Sequence, residues 1–193
     1  VFDVLKELGF SLGDYSTRIS NRKILSGLIQ TVKLADTSIL GDIELVVFRA
    51  IDKLDRLGLE GVKNLLAKGR TDSSGDFTEG ANLSADQIDT IISFLQITND
   101  DPYKTLEEMK YLLGDSEIGR QGLSELSCIT DTLLSKGISN LSFKIDPSVV
   151  RGLAYYTGTV FETELSTPTR SLGSISGGGR YDDLVSRFTG QKV

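Results

Sequence analysis

Histidine is absent from all 193 residues, and cysteine occurs once, as Cys128. Without imidazole the chain has no histidine-activated nucleophile, no histidine metal ligand and no side chain that ordinarily titrates near neutrality. A single thiol closes no internal disulfide, and with no histidine beside it a zinc site is not expected. The expectation is that the protein itself holds no metal. A lone cysteine suits a reducing compartment, so the expected location is cytoplasmic. Cys128 lies within a helical pattern and is expected to be a buried structural thiol. No apolar run approaches the roughly 20 residues of a membrane-spanning helix. Nothing at the start resembles a signal peptide, so no membrane partner is expected. Internal repeats and low-complexity tracts are also missing.

What is present is ordinary for a soluble globular protein, with 39% hydrophobic and 25% charged residues. The length fits one or two domains. The net charge of −6 argues against a broad nucleic-acid surface, because phosphate contact needs Lys and Arg. Its distribution is uneven: residues 41–140 carry 10 basic and 18 acidic side chains, and the flanks carry 11 basic and 9 acidic. Any RNA contact must then use a local patch, and Lys63, Lys68 and Arg70 form the candidate. A solvated helix end is the plainer alternative for those three.

The pattern along the chain alternates helices with strands. Residues 1–8 read as an amphipathic helix and 15–20 as a strand. Asn21 is placed to cap a helix running to about residue 34. Apolar residues recur at helical spacing over 42–57, with Gly58 as the expected C-terminal cap. Residues 71–83 are rich in Gly, Ser, Asp and Thr and read as a loop. Ser84 and Gln87 form a capping box for the next helix. Asp101-Pro102 opens another, ending at Gly114. A last long helix is expected over 117–136. From 141 to 145 the period becomes two, which predicts a strand.

The chemistry is concentrated near the end. Arg151-Gly152-Leu153-Ala154-Tyr155-Tyr156-Thr157-Gly158-Thr159-Val160-Phe161-Glu162 is followed by Gly177-Gly178-Gly179-Arg180-Tyr181-Asp182. Residues 155–165 alternate in a way that predicts one strand, with Tyr156, Gly158, Val160, Glu162 and Glu164 on one side. Glycine within a strand often marks close approach of a ligand or a second backbone. Residues 181–188 read as a short helix. Arg151, Tyr156, Arg180 and Tyr181 around these glycines suggest a small-molecule pocket that can hold an anion.

These two stretches resemble the two histidine-recognition signatures of the histidyl-tRNA synthetase family. The run from Thr17 to Leu25 and the run Phe48-Arg49-Ala50-Ile51-Asp52-Lys53-Leu54-Asp55 resemble that family's passage into its insertion domain. The expected fold is therefore α+β: part of a class II synthetase antiparallel sheet interrupted by an all-α insertion. The expected division is 1–40 and 141–193 in the catalytic domain and 41–140 in the insertion. Ala154 stands where the family pattern has Asp, so an acceptor carboxylate is missing at that point. Nothing like the family's three class motifs or its anticodon-binding domain is found, so the chain is expected to be an internal segment.

The resemblance implies ATP-dependent ligation of histidine to tRNA(His) through histidyl-adenylate, by a homodimer with ATP as substrate and Mg2+ accompanying it. Arg151 would neutralise charge on the α-phosphate. Tyr156 would hydrogen-bond the imidazole of the substrate, and Tyr155 would pack or line the adenylate side. Gly178 and Gly179 would allow close backbone approach, with Tyr181 lining the same pocket. Glu162, roughly 20 Å along the strand from Tyr156, is expected to be too far to reach the imidazole. Two other readings stay open: a histidine-sensing relative such as the regulatory subunit of ATP phosphoribosyltransferase, and a pseudo-synthetase regulatory domain.

Overall fold

The computed structural model describes residues 1–32, 40–151, 155–166, 173–182 and 184–190. The expected helical residues after Val32 and the Gly152–Ala154 part of the first signature, with the Ala154 departure, lie outside them.

The sheet forms around β1 (Tyr15–Asn21), whose residues are nearly all buried. It pairs in parallel with β4 (Phe143–Ile145) and antiparallel with β5 (Thr159–Leu165). The outer strand β6 (Ser174–Gly179) pairs antiparallel with β5, giving the order β4-β1-β5-β6. The register sets two faces. Thr17, Ile19 and Asn21 stand opposite Thr163, Phe161 and Thr159, and Arg18 and Ser20 stand opposite Glu162 and Val160. Side-chain alternation therefore gives the first set to the helices and leaves Arg18 and Glu162 on the other face.

A helix, α1 (Phe2–Glu7), precedes β1, and α2 (Arg22–Thr31) follows it directly. Asn21 caps α2 as expected, accepting a hydrogen bond from the Lys23 amide at 3.0 Å. After α2 come α3 (Leu40–Ile51) and α4 (Leu54–Leu66). The helix expected over 42–57 is thus two helices, broken at Asp52 and Lys53. Gly58, with φ 65° and ψ 179°, is not helical; the α4 span is two helical pieces that meet at a kink there, so the first piece does end at Gly58 as expected. The expected loop at 71–83 contains half of a hairpin, β2 (Gly69–Thr71) with β3 (Phe77–Glu79). Its tip closes because the Asp72 carboxylate accepts hydrogen bonds from the Ser74 and Asp76 amides.

Three helices follow: α5 (Ala85–Leu95), α6 (Pro102–Leu113) and α7 (Glu117–Ser135). The capping box of Ser84 with Gln87, the Asp101-Pro102 start and the Gly114 end all form as the sequence predicts. The last element is α8 (Leu184–Thr189). Ile19, Leu28, Phe48, Leu66, Phe94, Met109, Leu126 and Phe143 belong to one continuous buried cluster, so helices and sheet share a core. Cys128 is exposed, against expectation. The inward stripe of α7 runs through Gly119, Gly122, Leu126 and Thr130, and position 128 falls between those turns.

Helices α2 and α7 touch through glycine. A Cβ at Gly27 would stand 2.6 Å from the Gly119 Cα, and one at Gly122 would stand 2.7 Å from Ile24 Cγ1. The first clash is against backbone, which no rotamer change relieves. Gly27→Val is therefore expected to destabilise the fold by about 3 kcal/mol, the upper range for overpacking. Urea unfolding measures it, and an unchanged midpoint would contradict this packing.

Candidate active site

A cleft of about 580 Å³ opens over the Arg18–Glu162 face of the sheet. Its floor is a row across three strands: Arg18 on β1, Glu162 on β5 and Gly177 on β6, each paired with the next. One wall comes from the α3–α4 break, with Ile51, Asp52, Leu54 and Asp55. The other comes from Ser148 to Arg151 and from Tyr155 and Tyr156.

Charge in the cleft is arranged in a chain. Arg18 is 9% exposed, and its Nη2 lies 2.9 Å from Glu162 Oε2 and 2.6 Å from Glu164 Oε1. Asp55 at 3.5 Å and Asp146 at 3.8 Å complete its surroundings. Burial works to lower the Arg18 pKa, but Glu162, Asp146, Glu164 and Asp55 together hold it above its usual value. The Glu162 side chain is only 4% exposed, and its other oxygen, Oε1, pairs with Nη2 of Arg151. Arg151 is the half-exposed end of this chain, at 49%. Near it, burial pushes the Asp52 carboxyl up while Arg151 pulls it down.

The tyrosines come from a turn, not from the strand. Residues 155–158 precede β5, and the strand proper begins at Thr159. The turn is held by the second signature: the Thr157 amide donates to the Arg180 carbonyl at 2.9 Å, and the Arg180 amide donates to the Thr159 carbonyl at 2.8 Å. Asp182 accepts from the Thr157 hydroxyl at 2.7 Å and from Arg180 Nε at 3.0 Å. Tyr156 lies over Gly179, where an added Cβ would come within 2.8 Å of the ring. Tyr155 packs edge-on against it, with centroids 4.5 Å apart, and Tyr181 stands 6.4 Å away. Burial first, then a hydrogen bond with Tyr155, pushes the Tyr156 phenol above its ordinary pKa.

Several expectations change here. Tyr155 and Tyr156 line the same cleft, because a turn frees them from strand alternation. Glu162 lines it too, because Tyr156 sits in a turn over Gly179 and the two are not ends of one extended strand. Gly177 and Gly178 line the cleft, while Gly179 seats Tyr156. Tyr181 is 51% exposed beside Tyr156 and is not part of the cleft lining. Gly177–Gly179 form a strand, where only a close approach was expected.

Arg18, Glu162 and the pair Asp52 and Asp55 were not among the candidates. The signal for Arg18 was a full charge in the middle of a short predicted strand. Lys63, Lys68 and Arg70 are not in the cleft lining: Lys63 is in the last turn of α4, Lys68 lies between α4 and β2, and Arg70 is in β2. Lys63 pairs with Glu60 at 3.2 Å. Among the described residues no group of three or more Asp, Glu or Cys side chains is arranged to hold a metal ion. No helix among them is long and apolar enough to cross a membrane.

The chain has clear relatives. The family model described as histidyl-tRNA synthetase matches residues 9–193. Histidine–tRNA ligases from Dinoroseobacter shibae and a Jannaschia species are each 47% identical, over 98% and 99% of this chain. The chain spans 40% and 39% of their respective lengths. The crystal structure of histidyl-tRNA synthetase from a Nostoc species superposes with a TM-score of 0.79 at 32% identity, over 99% of this chain and 40% of that one. An ATP phosphoribosyltransferase regulatory subunit/histidyl-tRNA synthetase from Bacillus halodurans, at 23% identity and a TM-score of 0.69, shares the fold. With its two signatures converging on one cleft and the family model covering nearly its whole length, this α+β chain belongs to the histidyl-tRNA synthetase family.

Proposed function

We propose that the chain supplies the histidine site and one phosphate contact of a longer enzyme that ligates histidine to tRNA(His) through histidyl-adenylate. One observation carries the reading: residues of both signatures, Arg151 and Tyr156 from the first and Gly177 and Gly178 from the second, line one cleft. Histidine enters as a zwitterion with an imidazole, and the cleft offers matching groups. Asp52 and Asp55 face the ammonium, the Tyr156 hydroxyl meets an imidazole nitrogen, and Arg151 faces the α-phosphate of ATP.

Adenylation is attack of the histidine carboxylate on the α-phosphorus with pyrophosphate leaving. Negative charge builds on the phosphate oxygens, and a guanidinium with parallel donors stabilises it. The carboxylates nearest Arg18 are engaged in ion pairs. Mg2+ is proposed to accompany the triphosphate as part of the substrate.

The helices between β1 and β4, expected as the insertion 41–140, are proposed to meet the transfer RNA, with Lys63, Lys68 and Arg70 as phosphate contacts. Helix α7 is an exception within that stretch, because its Glu125 pairs with Lys23 at 2.6 Å and accepts from Asn21 at 2.6 Å. We propose that it groups with the sheet. A cytoplasmic homodimer is proposed for the whole protein. The identity to histidine–tRNA ligases favours ligation over the histidine-sensing alternative.

The test is ATP–pyrophosphate exchange by the full-length protein, with and without histidine. Exchange that depends on histidine supports the reading, and exchange driven equally by another amino acid overturns it. Tyr156→Phe is expected to raise KM for histidine roughly tenfold, since the imidazole loses a partner in a desolvated site. An unchanged KM would remove Tyr156 from histidine recognition.

A further inference from the structure

We infer that Glu162 is a positioning residue for Arg151, and that Arg18 fixes Glu162 in turn. The inference rests on the reading of Arg151 as the group that neutralises the α-phosphate. Its own content concerns how that group is held before ATP arrives.

An arginine outside regular structure, half-exposed, has many rotamers, and catalysis by charge needs the donors in place beforehand. Arg151 has that problem: it lies between Val150 and the turn at Tyr155, outside any helix or strand. Glu162 has the opposite character. It lies within β5, pinned by ladders to both neighbours, opposite Arg18 on one side and Gly177 on the other. With its side chain 4% exposed, both oxygens need partners, and each finds a different guanidinium.

Arg18 does not require the whole of Glu162 as a countercharge. Glu164 at 2.6 Å, with Asp55 and Asp146 close by, already surrounds it. Oε1 of Glu162 is left over from that group and is spent on Arg151. The order of fixity therefore runs from the buried Arg18 through the buried Glu162 to the half-exposed Arg151. Glu162 occupies Nη2, and a guanidinium has five N–H donors. Donors on the rest of the group stay available to an anion in the cleft. The missing side chain at Gly177 keeps the space above Glu162 open.

The test is a double-mutant cycle in the full-length protein, read by single-turnover adenylate formation so that large losses remain measurable. Glu162→Gln keeps the size of the side chain and removes the charge that holds Arg151. The expected result is a rate about tenfold lower, with KM for histidine and for ATP changed less than threefold, as for loss of orientation rather than of binding. In an Arg151→Ala background the same substitution is expected to cost less than twofold, because the residue it positions is gone. A merely structural role would cost the same in both backgrounds, and that result overturns the inference.

If Glu162→Gln does not fold, judged by circular dichroism, Glu162→Asp replaces it. That change keeps the charge but withdraws it by one methylene, and the same dependence on Arg151 is expected. Wild-type rates in a folded Glu162 variant, with Arg151→Ala impaired, sink the positioning role alone. Wild-type rates in Arg151→Ala sink the reading beneath it as well.

Discussion

Arg151→Ala in the full-length protein is expected to slow histidyl-adenylate formation about a hundredfold or more, the loss that follows removal of one charge-stabilising donor. Histidine binding should change less than threefold, because the charge that Arg151 meets develops only in the transition state. Rapid-quench measurement of adenylate, beside equilibrium binding of histidine, separates the two. The geometry sharpens the expectation. Arg151 is the half-exposed partner of the buried Glu162, so alanine leaves Glu162 with an oxygen uncompensated in the cleft. A rate within threefold of wild type would remove Arg151 from catalysis.

Gly177→Val is expected to reduce kcat/KM for histidine by about a hundredfold, equivalent to about 2.7 kcal/mol at 1.36 kcal/mol per tenfold. Thermal stability should hold or rise slightly. A Cβ at Gly177 meets only the Phe161 carbonyl oxygen, at an ordinary 3.5 Å, and a β-branched residue suits a strand. The new side chain would instead stand over Glu162 on the cleft floor. Gly179→Val makes the contrast. Its Cβ would meet the Tyr156 ring at 2.8 Å and the Thr159 carbonyl oxygen at 2.9 Å, so activity and stability should fall together. Wild-type kinetics in a folded Gly177→Val protein would place the substrate elsewhere.

Helix starts were the most legible part of the sequence. Asn21, Ser84 and Asp101 cap as read because a cap is a contact within three residues, and local chemistry decides it. Strand β6 was not legible, since Ser-Ile-Ser-Gly-Gly-Gly has poor strand propensity and pairs only because β5 lies beside it. The strand expected from Tyr155 failed for a related reason: Arg180, some 23 positions on, supplies the hydrogen bonds that turn 155–158 away from extension. That error also displaced Glu162 from the site. Arg18 and Glu162 meet across 144 positions, and no periodicity reports such a pair. The signatures contain Arg151 and Tyr156, which line the cleft, yet they did not mark the carboxylate between the two arginines. Cys128 was misjudged because a helical pattern gives the apolar stripe without assigning a weakly polar thiol to either side.

Strand β1 has both of its hydrogen-bonding neighbours far downstream, β4 at residue 143 and β5 at residue 159. During synthesis this has a temporal consequence. At about 5–20 residues per second, roughly ten seconds separate the appearance of β1 from that of its first partner strand. Throughout that interval Tyr15–Asn21 has neither of its partner strands, and Arg18 lacks its cross-strand carboxylates Glu162 and Glu164. The helices that follow can gather Ile19 and the α2 stripe, but no helix can satisfy the edges. Closing the gap afterwards means joining ends more than a hundred residues apart, a slow contact by the usual dependence of folding rate on sequence separation. Pairing of β1 is therefore expected to be late, and the interval before it is the stage most exposed to aggregation.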